Sequence, residues 1–516
     1  MKLSDIKNIL PQAEFLNFQD IEITDISYDS RQTREGHLFV AVPGSKSNGH
    51  HFIADAISHG CRAVVTRKKI NLAANIPQIM VSDPRRALAL LSSNFYNHPS
   101  TRLKVIGITG TNGKTTVTYL IKSILEAQGE RTGLLGTIQY QVGDRQIPAP
   151  MTTPESYDLQ KFLSEMLQVG VNYVVMEVSS HALTQQRVSQ TNFTSAVFTN
   201  LTRDHLDFHK DIKSYREAKS LLFKSLRPDA SAVLNKDDET SAHLARLTKA
   251  KVIWYGLDSE AEVKAQVLQS SLTGMKLALT TPKGEFEINT PLIGRHNVYN
   301  ILAAVAETLS LGIEPDIIIK GIEAVKTIRG RLEPVYPVRS KTPRASAPPL
   351  AGTSNGVECH RDFYVMVDYA HTDNALENVL KNLKPIVPGR IILVFGCGGD
   401  RDKGKRPLMG KVAEEYADIF VITSDNPRSE EPLEIINDIK KGLSQPSNAH
   451  TYPDRYEAIK YAISQARKDD LVLVAGKGHE TYQTFKDTVK PFDDRAVVKE
   501  ILGESPADRN EAITSV

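Results

Sequence analysis

One stretch constrains this chain more than any other: Val105-Ile106-Gly107-Ile108-Thr109-Gly110-Thr111-Asn112-Gly113-Lys114-Thr115-Thr116. A β-branched apolar run ends in a glycine-punctuated turn, and a helical pattern then opens and runs through Tyr119-Leu120-Ile121 to Leu125. Strand, glycine loop and helix in that order cradle a phosphate. Loop N–H groups point inward, the helix N-terminus favours anions, Lys114 can reach the outer phosphates and Thr115 can ligate Mg²⁺. The commonest such loop has another glycine five residues before Gly113, where this chain has Ile108. The match is therefore to a variant, and Gly110, Thr111, Asn112, Gly113, Lys114, Thr115 and Thr116 are read as an ATP site.

At 516 residues the chain exceeds what one core organises, so several domains are expected. The first, 1–98, offers strands at His37-Leu38-Phe39-Val40-Ala41-Val42 and Cys61-Arg62-Ala63-Val64-Val65. Asp83-Pro84-Arg85-Arg86 then precedes an Ala/Leu helix that ends near Asn97-His98-Pro99. Its polar loop Ser45-Lys46-Ser47-Asn48, taken alone, reads as solvated. The second, 99–330, alternates strands and helices, which implies a mostly parallel sheet with crossover helices. There Tyr173-Val174-Val175-Met176 delivers Glu177-Val178-Ser179-Ser180-His181, and Ser195-Ala196-Val197-Phe198-Thr199 leads to Asp204-His205. Ligands of open α/β sheets bind at such strand ends. Lys219, on the amphipathic pattern Tyr215–Phe223, reads by pattern alone as a surface lysine. Gly294-Arg295-His296-Asn297 opens an Ala-rich helix suited to meeting a nucleotide edge.

The third unit, 331–516, begins after Gly330. Between Pro337 and Arg361 a stretch rich in Pro, Ser, Ala and Gly reads as an exposed loop. Four apolar strands then lead into Asp368-Tyr369-Ala370-His371, Gly396–Arg401, Ser424-Asp425-Asn426-Pro427-Arg428 and Gly476-Lys477-Gly478-His479-Glu480, with helical patterns between them. This is a doubly wound α/β domain with its polar loops on one rim. Charge is balanced, 63 basic against 61 acidic residues, which argues against a general nucleic-acid or membrane-surface binder. No signal peptide or apolar run of transmembrane length is visible. Cys61, Cys359 and Cys397 are widely spaced, with no metal-like pairing and no disulfide framework. A cytoplasmic enzyme is expected.

In the order and identity of these motifs the chain resembles the Mur ligases, the ATP-dependent amino-acid ligases of peptidoglycan precursor synthesis. Within them it resembles the group that adds the third residue of the stem peptide. The resemblance runs in order through Asp29-Ser30-Arg31, the variant phosphate loop, Thr152-Thr153-Pro154, Glu177–His181, Asp204-His205, Ala218-Lys219, His296-Asn297, Gly330-Arg331, Asp368–His371 and Asp425-Asn426-Pro427-Arg428. It implies three domains: a small N-terminal α/β domain for the UDP-muramoyl substrate, a central ATPase domain and a C-terminal Rossmann-like domain for the amino acid. ATP would phosphorylate the D-glutamyl carboxylate of UDP-N-acetylmuramoyl-L-Ala-D-Glu, and the incoming amine would attack the acyl phosphate. No nucleic acid or membrane insertion is implied, and a monomer is expected.

The resemblance also implies roles. Lys114, Glu177, His205 and Lys219 would be catalytic, with Thr115, Glu177, His205 and a carbamylated Lys219 around Mg²⁺. Asn297, Arg331 and Asp368, with His371 beside them, would meet the nucleotide. Tyr28, Ser30, Ser45, Lys46, Ser47, Thr152, Thr153, Ser179, Gln185 and Arg187 would hold the UDP-muramoyl-peptide. Arg401, Asp425, Asn426, Pro427, Arg428, Gly476 and Glu480 would hold meso-diaminopimelate, whose second carboxylate suits a planar guanidinium. A lysine-adding ligase, a folylpolyglutamate-type ligase and a nucleotide switch without ligase activity are the alternatives.

Overall fold

The computed structural model describes residues 1–44, 48–71, 75–336, 363–486 and 488–503. Ser45, Lys46, Ser47, Cys359 and the Pro-rich stretch between Pro337 and Arg361 lie outside them. The apolar runs that lead into polar loops are strands of parallel sheets, as the sequence predicts. Tyr173–Glu177, Ile391–Phe395 and Leu471–Ala475 are buried along their whole length, because strands covered by helices on both faces have no solvent side.

Three sheets carry the three-part α/β architecture. The first has the spatial order Glu14–Leu16, Gln78–Met80, Ala63–Thr66, His37–Val40, Asp25–Ser27, parallel except at its first pair. The central sheet runs Lys251–Tyr255, Ser231–Asn235, Phe193–Phe198, Lys104–Thr109, Tyr173–Glu177, Thr132–Leu135, Gln139–Val142, Arg145–Pro148. Its first six strands are parallel and the last two antiparallel. The third runs Glu333–Tyr336, Tyr364–Asp368, Leu471–Ala475, Ile391–Phe395, Ile419–Ile422, His450–Thr451, parallel after its first pair. Because the strands are parallel, the phosphate loop, Glu177 and Thr199-Asn200 leave one edge of the central sheet, and the four polar loops leave one edge of the third.

The helix Lys114–Ala127 buries Val117, Leu120, Ile121, Ile124 and Leu125, the 3-1-3-1 spacing of one helix face. Each such side chain contributes about 1.5–3 kcal/mol by leaving water. It packs on Arg295–Ser310 and Pro315–Ala324. At Gly321 even a Cβ would come within 2.4 Å of the Ile124 backbone, so this crossing requires glycine. Two antiparallel elements are absent from the sequence reading. They are the small sheet Lys264–Ser271, Gly274–Thr281, Gly284–Thr290 and the hairpin Tyr482–Phe485, Thr488–Pro491.

Candidate active site

The phosphate loop turns at Gly110 and Gly113, with φ of 152° and 87°. A Cβ on Gly113 would lie 2.3 Å from Asn300 Oδ1, and one on Gly110 would lie 1.8 Å from Thr199 Oγ1. Both positions therefore need glycine for space, and Gly113 for its left-handed backbone as well. Lys114 Nζ donates to the carbonyls of Gly110 (3.0 Å) and Thr111 (2.8 Å). Asn112 N donates to Asn200 Oδ1 at 3.0 Å, and Thr199 Oγ1 donates to Asn112 O at 2.6 Å, so the neighbouring strand end fixes the loop.

Thr115, the second residue of the helix, donates to Glu177 Oε1 at 3.0 Å. Glu177 also accepts from Thr137 N (2.8 Å) and Thr137 Oγ1 (3.0 Å). The chain brings Lys219 to the same loop: its Nζ donates to Gly110 O at 2.7 Å and lies 4.3 Å from the Tyr215 ring. The residue is 1% exposed, not the surface lysine of its pattern. Burial and then the Lys114 charge, against Asp204, push its pKa well below the ordinary lysine value. Burial likewise lowers Lys114. His205 is left-handed at φ 54° and packs edge-on to His181 at 4.9 Å. Its side chain is 43% exposed, and the rings of His181 and Tyr215 packed against it desolvate it in part. That desolvation, with Lys114, Lys219 and His371 and against Asp204, pushes it down to about 4. Burial alone would raise Asp204, but His205, His371 and Lys114 outweigh it and hold its pKa below the ordinary value.

Among the described residues no cluster of three or more His, Cys, Asp or Glu could hold a metal ion. A hydroxyl and one carboxylate beside a phosphate cradle do fit Mg²⁺, which takes few protein ligands and draws the rest from phosphates and water.

The third unit closes over this edge. Arg331 Nη2 donates to Thr115 Oγ1 at 3.1 Å, and its guanidinium lies 4.8 Å from the Tyr369 ring. Asp368 is buried and accepts from Leu332 N and Ala370 N, both at 2.7 Å. Its carboxylate therefore braces the Arg331 turn. Asn297 donates to Ile293 O (2.8 Å) and accepts from Asn300 (2.9 Å). His296 Nδ1 and His479 Nδ1 are buried without a protein partner, as the walls of a nucleotide slot would be.

On the first-domain side, Tyr28 Oη donates to Asp158, and Ser30 is buried. Thr152 pairs with Thr137 at 3.1 Å. Thr153 Oγ1 donates to Glu177 O (2.8 Å) and accepts from Ser179 N (3.0 Å). Arg187 donates to Gln185 Oε1 (2.6 Å), Thr153 O (3.0 Å) and Met151 Sδ (2.9 Å) and pairs with Glu155 at 3.4 Å.

In the third unit Arg428 sits at φ 54°, its backbone gripped by the hairpin: its N donates to Thr484 O at 2.9 Å and its O accepts from Lys486 N at 2.5 Å. Its Nη1 donates to Gly399 O at 2.6 Å. A Cβ on Gly398 would meet both Arg428 Nη1 (2.8 Å) and Arg401 Cγ (3.8 Å), so the Arg428 guanidinium and the stem of Arg401 flank one glycine, while Arg401 Nη1 donates to Asp400 O at 3.1 Å. Desolvation and then Arg401, against Asp425, Glu480 and Asp400, lower the pKa of Arg428. Glu480 Oε2 accepts from Asn426 Nδ2 (2.9 Å) and Lys477 Nζ (3.0 Å). Pro427 is buried, and its carbonyl oxygen would lie 1.8 Å from a Cβ on Gly399. Gly476, at φ 113°, leaves room for Asp425 Oδ2, 2.7 Å from where its Cβ would be. Thr137 is absent from the sequence expectations, and Lys477 and Asn300 stand in their polar stretches without an assigned role. Lys477 carries a signal as a charge between two glycines, and Asn300 as a polar residue one turn after Asn297.

Three family models cover most of this architecture: the Mur ligase family catalytic domain over residues 22–96, the Mur ligase middle domain over 108–308 and the Mur ligase glutamate ligase domain over 356–478. A relative from Caldanaerobacter subterraneus subsp. tengcongensis, named UDP-N-acetylmuramoyl-L-alanyl-D-glutamate–2,6-diaminopimelate ligase, is 46% identical over 94% of this chain and 96% of its own. A relative of the same name from Solibacter usitatus is 46% identical over 97% of each chain. A solved structure of that ligase matches with TM-score 0.65 and 31% identity, covering 96% of this chain and 98% of its own.

Proposed function

Because the chain belongs to the Mur ligase family, we propose that it joins meso-diaminopimelate to the D-glutamyl side-chain carboxylate of UDP-N-acetylmuramoyl-L-Ala-D-Glu, using ATP. The observation that carries this reading is the Arg428 guanidinium of the Asp-Asn-Pro-Arg loop, set against Gly398 beside Arg401 and depressed in pKa by the Arg401 charge after its own desolvation. Two crowded cations call for an anion beside them, and diaminopimelate brings a second carboxylate where lysine brings none. Glu480, held by Lys477 and Asn426, takes the distal ammonium.

In this reading the loop N–H groups and Lys114 hold the phosphates. Lys114 rests on two neutral carbonyls, partners that a phosphate oxygen replaces with gain. The glutamyl carboxylate attacks the γ-phosphorus in line and ADP leaves. The diaminopimelate amine then attacks the acyl phosphate, and the tetrahedral intermediate collapses with loss of phosphate. Phosphoryl transfer of this kind needs positioning and charge neutralisation above all. Thr115, Glu177 and His205 would hold Mg²⁺, which would supply part of that neutralisation. Lys219, whose environment favours the free amine, would add CO₂ at Nζ and release a proton, and the resulting carbamate would supply a further anionic partner for Mg²⁺. Carbon NMR in labelled bicarbonate is expected to show that carbamate and to lose it in Lys219→Ala. Tyr28, Ser30, Ser45, Lys46, Ser47, Thr152, Thr153, Ser179, Gln185 and Arg187 hold the UDP-muramoyl-peptide. Such a reaction belongs in the cytoplasm, and no helix among the described residues is long and apolar enough to cross a membrane.

ATP-dependent ligation measured with diaminopimelate and with lysine tests the reading, and a preference for lysine overturns it. Arg428→Ala is expected to raise the KM for diaminopimelate by at least about tenfold, a loss of about 1.4 kcal/mol, and to leave the KM for ATP within about twofold. Equal losses would discredit the pocket.

A further inference from the structure

Arg455 and Asp494 form an ion pair with both side chains 0% exposed. Arg455 opens the helix Arg455–Ser464, and Asp494 opens the last helix, Asp494–Ile501. The guanidinium grips the carboxylate with two bonds, Nε to Oδ1 at 2.7 Å and Nη2 to Oδ2 at 2.8 Å. Its remaining reach goes to two backbone carbonyls, Ala475 O from Nη2 at 3.0 Å and Ser424 O from Nη1 at 3.3 Å. Each carbonyl stands one residue before a loop of the amino-acid pocket: Ser424 before Asp425-Asn426-Pro427-Arg428, and Ala475 before Gly476-Lys477. The strands that deliver these loops, Ile419–Ile422 and Leu471–Ala475, are not neighbours, since Ile391–Phe395 lies between them. Sheet hydrogen bonds therefore do not join the two loops. Their direct ties are side-chain bonds at the tips, Asn426 Nδ2 to Glu480 Oε2 (2.9 Å) and Lys477 Nζ to Asn426 Oδ1 (3.4 Å), whereas Arg455 ties their backbones at the base. Gln483 of the hairpin adds a second tie to the first loop only, donating to Asp425 O at 2.9 Å.

We infer that the Arg455–Asp494 pair is a positioning device for the amino-acid pocket, setting the separation of the loops that carry Arg428 and Glu480; this rests on the diaminopimelate reading above. A buried ion pair is a poor source of stability, because desolvation offsets most of the attraction and apolar pairs of similar volume often serve as well. What an apolar pair lacks is donors. The planar guanidinium offers five in a fixed fork, enough to hold a carboxylate on one side and two carbonyls on the other. A lysine ammonium has no such plane and cannot make the same set.

Three variants of the full chain test this: Arg455→Lys, Asp494→Asn, and the double variant Arg455→Met with Asp494→Leu. Each is measured for thermal stability and for the KM of diaminopimelate, ATP and UDP-muramoyl-dipeptide. The double variant is expected to regain most of the parental Tm and yet keep a KM for diaminopimelate raised by about tenfold, with the other two KM values within about twofold. Arg455→Lys is expected to show the same split with a smaller loss of Tm. A double variant that regains both Tm and KM overturns the inference, as do folded variants that keep the parental KM. Failure of all three to fold, the lysine variant included, assigns the pair to the fold and overturns it too. If the parent itself does not ligate diaminopimelate, the functional reading fails, and the inference with it. A parent that ligates beside unaltered variants fails the inference alone.

Discussion

At the scale of single residues, burial changes what a side chain is chemically. Glu307, on the helix whose N-terminus carries His296 and Asn297, is fully buried, takes a hydrogen bond from Ser195 and leaves Oε2 without a partner. Burial, opposed by the Ser195 bond, raises its pKa from 4.5 to about 7. The folded chain thus keeps a proton that the unfolded chain has released. The stabilising contribution is complete below about 4.5 and is lost as pH rises towards 7. Relative to Glu307→Gln, which carries no titrating group there, the parent is expected to lose up to about 3 kcal/mol across that window. Thermal melts of both proteins as a function of pH check this, and parallel curves refute it. Sequence could not have shown it, since an Ala-rich helix gives no sign of which polar residue faces inward. Lys219 makes the same point: its pattern says surface, and only the fold places it against Gly110.

At the scale of elements, local chemistry was readable wherever a helix or strand carries its own signals. Asp83-Pro84 marks a helix start, and in the helix Pro84–Phe95 Asp83 Oδ1 accepts from Arg85 N (2.9 Å) and Arg86 N (3.1 Å). Its other oxygen takes Gln186 Nε2 at 2.6 Å, a tie to the central domain that the sequence does not display. Asp83→Ala removes both functions and is expected to cost about 1–2 kcal/mol in denaturant unfolding. Asp83→Asn retains the cap and recovers most of that. A variant as stable as the parent would show that the cap is dispensable. The strand Lys264–Ser271 was illegible for the opposite reason: six of its eight residues are exposed, so no alternation of apolar and polar positions announces it. The hairpin over Arg428 is equally exposed on its second strand.

For the whole molecule, the doubly wound architecture was legible because fully apolar strands followed by polar loops imply parallel sheets. The way the units meet was not, because it depends on single side chains far apart in sequence. Arg85 reaches Glu155 at 3.2 Å, Tyr157 reaches Asp25 at 2.9 Å, and Arg331 reaches Thr115 at 3.1 Å across 216 residues of chain. The last contact joins the third unit to the phosphate loop, so a nucleotide bound there engages both. A non-hydrolysable ATP analogue at a hundred times its Kd is expected to stabilise the parent by about 2.7 kcal/mol. Arg331→Ala is expected to weaken that analogue by about tenfold in calorimetry and to leave the UDP-muramoyl-dipeptide Kd unchanged. Equal weakening of both ligands would place Arg331 in the general fold rather than at the nucleotide.

The left-handed backbone of Arg428 also bears on how a pocket like this one can evolve. Held at φ 54° by the hairpin on both sides, that position admits glycine, asparagine or aspartate at little conformational cost and resists valine, isoleucine or threonine. Drift towards a different amino acid therefore has a narrow gate at this residue. The tolerated exchanges are those that remove or reverse the charge while the turn survives, so selectivity can change in one step without first rebuilding the loop that carries it.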